Sequence, residues 1–173
     1  IVRNMLEFAH NSKRITGLID VKHLVEQTIV LNRSSQLHVQ DEHHLQISTD
    51  YQESLPAIKA SAPELQQVLL NLLRNAAQAL HQHNTEQPAI HIKVYRENPH
   101  LVIEVQDNGP GMTINNGLVK NSDSGVGLVN TRERLAALYD KDFSLVLTHN
   151  QPQGVKVNIR IPFEVEVSDE EHA

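Results

Sequence analysis

The spacing of apolar positions changes period several times along the chain, and each change marks an element. Residues 1–12, "IVRNMLEFAHNS", carry apolar side chains at Ile1, Met5, Phe8 and Ala9, the spacing of one helix face. "RITGLID" follows as a short extended stretch. Asp20 is placed to cap a helix whose apolar positions are Val21, Leu24, Val25, Thr28, Ile29 and Leu31. "HLQIST" and "PAIKAS" read as strands. Pro63 suits the first turn of a helix running to about Gln82. "AIHIKVYRE" and "HLVIEVQD" alternate with period two and predict a hairpin across "NPH". A helix is expected from near Gly125 to Tyr139, then a second hairpin, "FSLVLTHN" and "GVKVNIRIPF", across "QPQG". This order predicts an α+β fold: a two-layer α/β sandwich, with a mixed sheet of about five strands and helices on one face. No internal repeat is visible.

Composition narrows the function. The 173 residues suit one domain with a modest core. A formal charge of −6 and only 3% aromatics argue against nucleic-acid binding, which calls for a basic face and stacking rings. The lack of cysteine removes disulfides and thiolate metal sites. The eleven histidines are scattered, and the pairs His43–His44 and His81–His83 read as solvated surface. No apolar run reaches the ~20 residues needed to cross a bilayer, and no signal peptide is expected in this stretch. The first residue is Ile rather than Met, so the chain is expected to be a piece of a longer protein.

The helix around "LLNLLRNAAQAL" holds the first chemical signal. At about 100° per residue, Glu64, Gln67, Asn71, Asn75, Gln78 and Gln82 fall within about 40° of Asn71, while Leu65, Val68, Leu69, Leu72, Ala76 and Leu80 form the apolar face. The polar stripe reads either as the solvent side of an amphipathic helix or as a site. A solvent stripe normally uses Lys, Glu and Arg. Amides instead offer an uncharged donor and acceptor together, as needed to ligate a hard cation with a polyphosphate alongside.

Two glycine-rich segments bear on that choice. In the strand before "DNGPGM", Leu101, Ile103 and Val105 share a parity that Asp107 continues. Its carboxylate therefore points to the covered face of the sheet, where a charge needs a donor such as a purine amine. Asp-Asn-Gly is also a hairpin signal, but the following "TINNGLVK" does not alternate as a returning strand would. "GVGL", Gly125 to Leu128, opens a helix, where glycines let phosphate oxygens reach free backbone amides.

In this order the three pieces resemble the ATP-binding catalytic domain of sensor histidine kinases, in the superfamily that also holds gyrase B and MutL. "ELQQVLLNLLRNAAQA" resembles the family's N box, "DNGPGM" its G1 box and "GVGL" its G2 box. The resemblance implies the Bergerat fold, ATP and Mg²⁺ as cofactors, and transfer of the γ-phosphate to a histidine. It implies that Asn75 ligates Mg²⁺ with Asn71 beside it near the phosphates, as the catalytic pair. Asp107 would hydrogen-bond the adenine amine. Gly109, Gly111, Gly125, Val126, Gly127 and Leu128 would surround the nucleotide, with Lys120 as a phosphate contact from the lid. The expected organisation is the end of a dimerisation and phosphotransfer helix with its linker (1–14), the catalytic domain (15–163) and an acidic tail (164–173). The implied partners are the dimerisation domain of the same protein, as a homodimer at full length, and a response regulator receiver domain. The implied location is the cytoplasmic part of a sensor.

The sequence also departs from the family's common pattern. Only "TINNGLVKNSDS" separates Met112 from Gly125, and it has no Phe, whereas "GVGLVNTRERL" resembles the short-lid LytS and nitrate-sensor types. Gln78 stands where a basic residue is frequent, and Val155 where Thr or Ser is frequent. Arg132 and Arg134 could compensate near the phosphates or could be surface charge. No histidine here is followed by the acidic and hydrophobic residues that mark a phosphoacceptor. Three rivals remain: a hydrolase of the superfamily, which would have Glu where Asn71 stands; an anti-sigma-factor serine kinase; and a nucleotide-sensing module without catalysis.

Overall fold

The computed structural model describes residues 16–36, 45–112 and 126–163. The predicted helix in 1–12, the stretch 113–124 with Lys120, Gly125, and the tail 164–173 lie outside the described residues.

β1 (Gly17–Ile19) leads into α1 (Val21–Gln36), capped by Asp20, whose Oδ1 accepts the His23 amide at 3.1 Å. β2 (Gln46–Tyr51) and β3 (Ile58–Ala60) precede α2 (Ala62–Gln82), which has proline in its first turn. β4 (Ala89–Glu97) and β5 (His100–Asp107) form the first hairpin. α3 (Val126–Tyr139) is followed by the second, β6 (Ser144–His149) and β7 (Val155–Pro162).

The main sheet has the order β2-β4-β5-β7-β6. β2 runs parallel to β4 and every other neighbouring pair is antiparallel, so the five-stranded mixed sheet is as predicted. A parallel pair cannot be joined by a tight turn, and α2 is the helix within the β2-to-β4 crossover. β3 does not join this sheet. It pairs antiparallel with β1 in a separate two-stranded ribbon.

Period two decides the burial. Ile90, Ile92 and Val94 of β4 stand opposite Asp107, Val105 and Ile103 of β5, and Ile103 and Leu101 stand opposite Ile159 and Ile161 of β7. These side chains pack with Leu65, Val68, Leu69, Leu72, Leu73 and Leu80 of α2 and with Leu135 of α3. Replacing one such fully buried Leu by Ala would cost about 2–5 kcal/mol. The opposite face is polar and organised around Glu104. Its carboxylate accepts from Tyr95, Gln106 and Asn158, with Lys156 Nζ at 3.6 Å.

One predicted core position is wrong. Leu31 is 47% exposed while Asn32 is fully buried. On the helix wheel Asn32 falls between Val25 and Thr28 at the centre of the buried stripe, and Leu31 lies about a quarter turn away. The buried hydroxyl of Thr28 is satisfied by the Leu24 carbonyl at 2.6 Å.

Candidate nucleotide site

The carboxyl end of β5 carries the first component. Asp107 is 8% exposed, on the helix-covered side that its parity predicts. The side chain is not left without partners. Oδ1 accepts the Gly109 amide at 2.9 Å and the Val155 amide at 3.2 Å. One carboxylate oxygen is therefore pinned by backbone, and Oδ2 remains for a ligand donor. Burial pushes the carboxyl pKa up, and the two amides oppose that.

The turn between β6 and β7 closes around the same residue. Asn150 Nδ2 donates to the Asp107 carbonyl at 2.8 Å, and Gly154 packs so closely that a Cβ there would lie 1.9 Å from that oxygen. Gly154 has φ +110° and Gly111 has φ +82°, both in the left-handed region that favours glycine. A Cβ on Gly111 would lie 3.5 Å from the Gly154 carbonyl, so the loop after β5 rests on this turn. The sequence reading missed Asn150 and Gly154. The only signal was the glycine closing "QPQG", which served there merely to place a hairpin.

α2 carries the second component. Leu80 approaches the Asp107 corner, since a Cβ on Gly109 would lie 3.5 Å from its Cδ2. About 7.5 Å back along the helix axis stands Asn75, and about 6 Å further stands Asn71. Asn75 is exposed and lies against Gly127 in the first turn of α3, where a Cβ would come within 2.9 Å of Nδ2 and 3.0 Å of Oδ1. Asn71 is half-buried, and its Oδ1 accepts from Gln67 Nε2 at 2.9 Å. Val126 begins α3 and half-buried Leu128 packs on the core. The structure thus brings Asp107, Gly109 and Gly111 together at the end of β5, and sets Asn71 and Asn75 along α2 with Gly127 of α3 against Asn75. Lys120 and Gly125 lie outside the described residues.

The arginines are otherwise engaged. Arg132 Nη2 donates to the Leu145 carbonyl at 3.1 Å, and Arg134 Nη1 pairs with Glu64 at 2.6 Å. Neither is directed at Asn75, so compensation for Gln78 finds no support in these positions. Two cavities of about 380 and 370 Å³ lie elsewhere, one beside Lys22 and Tyr51, the other beside Leu138, Tyr139 and Phe163. Tyr139, in the second, has its phenol pKa pushed up to about 12 by burial.

Among the described residues no cluster of three or more His, Asp or Glu could hold a metal by itself. The oxygen of Asn75, exposed and uncharged, fits a hard divalent cation that takes its remaining ligands from phosphate and water. No helix among the described residues is long and apolar enough to cross a membrane.

A covered acidic side chain at a strand end, a helix bearing spaced amides and a glycine at a helix start together define a nucleotide-binding α/β sandwich. Residues 60–165 match the family described as histidine kinase-, DNA gyrase B- and HSP90-like ATPase, and the chain belongs to that family. The sensory histidine kinase/phosphatase NtrB of Salmonella typhimurium is 30% identical over 141 residues, covering 74% of this chain and 38% of that protein. The signal transduction histidine-protein kinase AtoS of Escherichia coli is 27% identical, covering 89% of this chain and 27% of that protein. The chain thus spans well under half the length of these relatives. The catalytic domain of histidine kinase ThkA has the same fold, with a TM-score of 0.70 at 17% identity over 86% of this chain and 96% of that one.

Proposed function

We propose that the chain is the ATP-binding catalytic domain of a sensor histidine kinase. The observation that carries this is the juxtaposition along α2: Leu80 reaches the Asp107–Gly109 corner while Asn75 meets Gly127. One helix thereby runs from a buried carboxylate acceptor to a pair of amides at a helix start. In this reading Asp107 Oδ2 accepts the adenine amine, Asn71 donates to phosphate, and Asn75 Oδ1 is a ligand for Mg²⁺, which neutralises phosphate charge when bound. The chain's part in the reaction is to position ATP and hold that charge. A histidine nitrogen on the dimerisation domain attacks the γ-phosphorus, the bond to the bridging oxygen breaks, ADP leaves, and the ring proton passes to a base on the acceptor domain.

We propose the same domain limits as read from the sequence, with residues 15–163 as the catalytic unit and a location in the cytoplasmic part of a homodimeric sensor. A response regulator is the proposed onward acceptor. ThkA, of the same fold, has been solved in complex with the response regulator TrrA.

The hydrolase alternative is disfavoured by position 71. A carboxylate there would orient and deprotonate water, whereas asparagine cannot act as a base. The test is therefore direct. The chain alone should bind Mg-ATP and release almost no phosphate, and should transfer phosphate to an added histidine-bearing dimerisation domain. Sustained Mg²⁺-dependent turnover of about 1 s⁻¹ or more by the chain alone would refute the kinase reading. Tight ATP binding without transfer to several such domains would favour a non-catalytic nucleotide module.

A further inference from the structure

α2 and α3 are seated in the fold by different means. α2 buries seven apolar side chains, whereas in α3 only Thr131 and Leu135 are buried among the described residues. The seat of α3 therefore rests on little apolar area and depends more on polar ties. One tie joins it to α2: Arg134 Nη1 donates to Glu64 Oε2 at 2.6 Å. Arg134 Nε is buried as well, so part of the guanidinium is withdrawn from solvent. Glu64 stands in the first turn of α2, where the helix dipole favours a carboxylate.

The second tie is the close approach of Gly127 to Asn75. On α3, Arg134 follows Gly127 by two turns on the same face, about 10 Å along the axis. On α2, Glu64 precedes Asn75 by three turns on the same face, about 16 Å along the axis. The two helices therefore run in opposite senses and meet at two separate points. Between these points Thr131 is fully buried, and its hydroxyl donates to the Gly127 carbonyl at 2.8 Å. A helix held at one point can pivot; held at two it keeps its angle.

We infer that Glu64 and Arg134 are positioning residues: their ion pair latches α3 to α2 and so sets the first turn of α3 against Asn75, at the end proposed for the phosphates. This rests on the reading of that end as part of a nucleotide site. A latch makes two opposite charges act in the same direction. Direct electrostatics would have Arg134 attract phosphate and Glu64 repel it, whereas a latch needs both partners. An ion pair between partly exposed side chains shifts an equilibrium by up to about five-fold. ATP affinity then falls with the fraction of chains that have α3 seated.

The experiment is a double-mutant cycle of Glu64→Gln and Arg134→Met on the whole chain. Both replacements keep helix propensity and most of the side-chain stem while removing one charge. Without nucleotide, amide hydrogen exchange in α3 should quicken up to about five-fold in either single variant. Exchange in β5 and β7 should not change, and the double variant should add nothing to the larger single effect. By calorimetry in Mg²⁺, ATP affinity should fall up to about five-fold in both single variants, with adenosine affinity unchanged. The Glu64→Gln arm decides between the two accounts, because removing a negative charge strengthens ATP binding if electrostatics alone is at work. Tighter ATP binding by Glu64→Gln, additive losses in the double variant, unchanged exchange in α3, or a loss shared by adenosine would each overturn the inference. A wild-type chain that binds no ATP would overturn the nucleotide reading instead, and the exchange rates would then decide the latch by themselves.

Discussion

The corner around Asp107 and the amide-bearing face of α2 are built in opposite ways. At the Asp107 corner, proposed for the base, the carboxylate is buried, one of its oxygens is pinned by two backbone amides, and the surrounding turn is packed to the point where Gly154 tolerates no Cβ. On α2, at the end proposed for the phosphates, the groups are amide side chains on a helix, one exposed and one half-buried, and the tight neighbour is a single glycine, Gly127. The purine end is organised before any ligand arrives. The phosphate end is organised by side-chain hydrogen bonding and is finished by what binds. In the proposed reading, recognition of the base and handling of the phosphates should therefore be separable in mutation.

The largest expected effect breaks the purine end outright. Gly154→Ala combines a left-handed φ with a Cβ against the Asp107 carbonyl. It should cost about 2–5 kcal/mol of stability, read by denaturant unfolding. A loss below about 0.5 kcal/mol would show that the turn yields easily, contrary to a prebuilt corner.

Asp107→Asn tests the same end without disturbing its packing. The new amide oxygen can still accept from Gly109 and Val155, but its nitrogen meets the adenine amine as donor against donor. ATP affinity should fall by about 1.5–3 kcal/mol, the worth of a hydrogen bond to a charged group, with the fold retained. Unchanged affinity by calorimetry would remove Asp107 from base recognition.

Gly127→Ala sharpens the contrast. The added methyl meets only the tip of an exposed Asn75 side chain, which can move. Alanine favours the helix over glycine by up to about 1 kcal/mol, so stability should hold or rise. The Mg²⁺-dependent part of ATP affinity should nevertheless drop about tenfold, seen by comparing titrations in Mg²⁺ and in EDTA. A fall in stability like that of Gly154→Ala would erase the distinction between the ends.

The smallest effect is a pH dependence. Burial raises the Asp107 carboxyl pKa above its ordinary value of 3.8 in the folded chain. The folded state then holds the proton more tightly than the unfolded one. This group therefore favours folding at low pH and costs stability as pH rises from 3.8 through the raised value. Asp107→Asn removes that titration. The stability of wild type minus that of the variant should decline across this window and level off above it, measured by urea unfolding without nucleotide. A difference independent of pH would mean that the two amides fully offset the burial.

What the sequence revealed, and what it hid, follows the range of the interactions. The two faces of α2 and the inward parity of Asp107 are set by local periodicity, and both are where the pattern put them. The partners of Asp107 come from Asn150, Gly154 and Val155, far along the chain, and no local pattern couples them to β5. The same holds for β3, legible as a strand but not as the partner of β1. Asn32 was hidden for a different reason. A polar residue in the middle of a buried stripe defeats a reading that searches for apolar side chains, so exposed Leu31 was taken in its place.

The antiparallel pairing of β5 with β7 also ties the corner around Asp107 to a distant part of the chain. α2 can form from its own sequence, but the Asp107 corner is incomplete until β5 has paired with β7, the strand that supplies the Val155 amide. Such distant pairings are slow relative to helix formation, because loop-closure entropy must be overcome before they contribute. In the proposed reading the nucleotide therefore recognises only chains in which β5 and β7 have paired. Each tenfold excess of ATP over its dissociation constant should add about 1.4 kcal/mol to the apparent stability, which makes the ligand a selective trap for the finished fold.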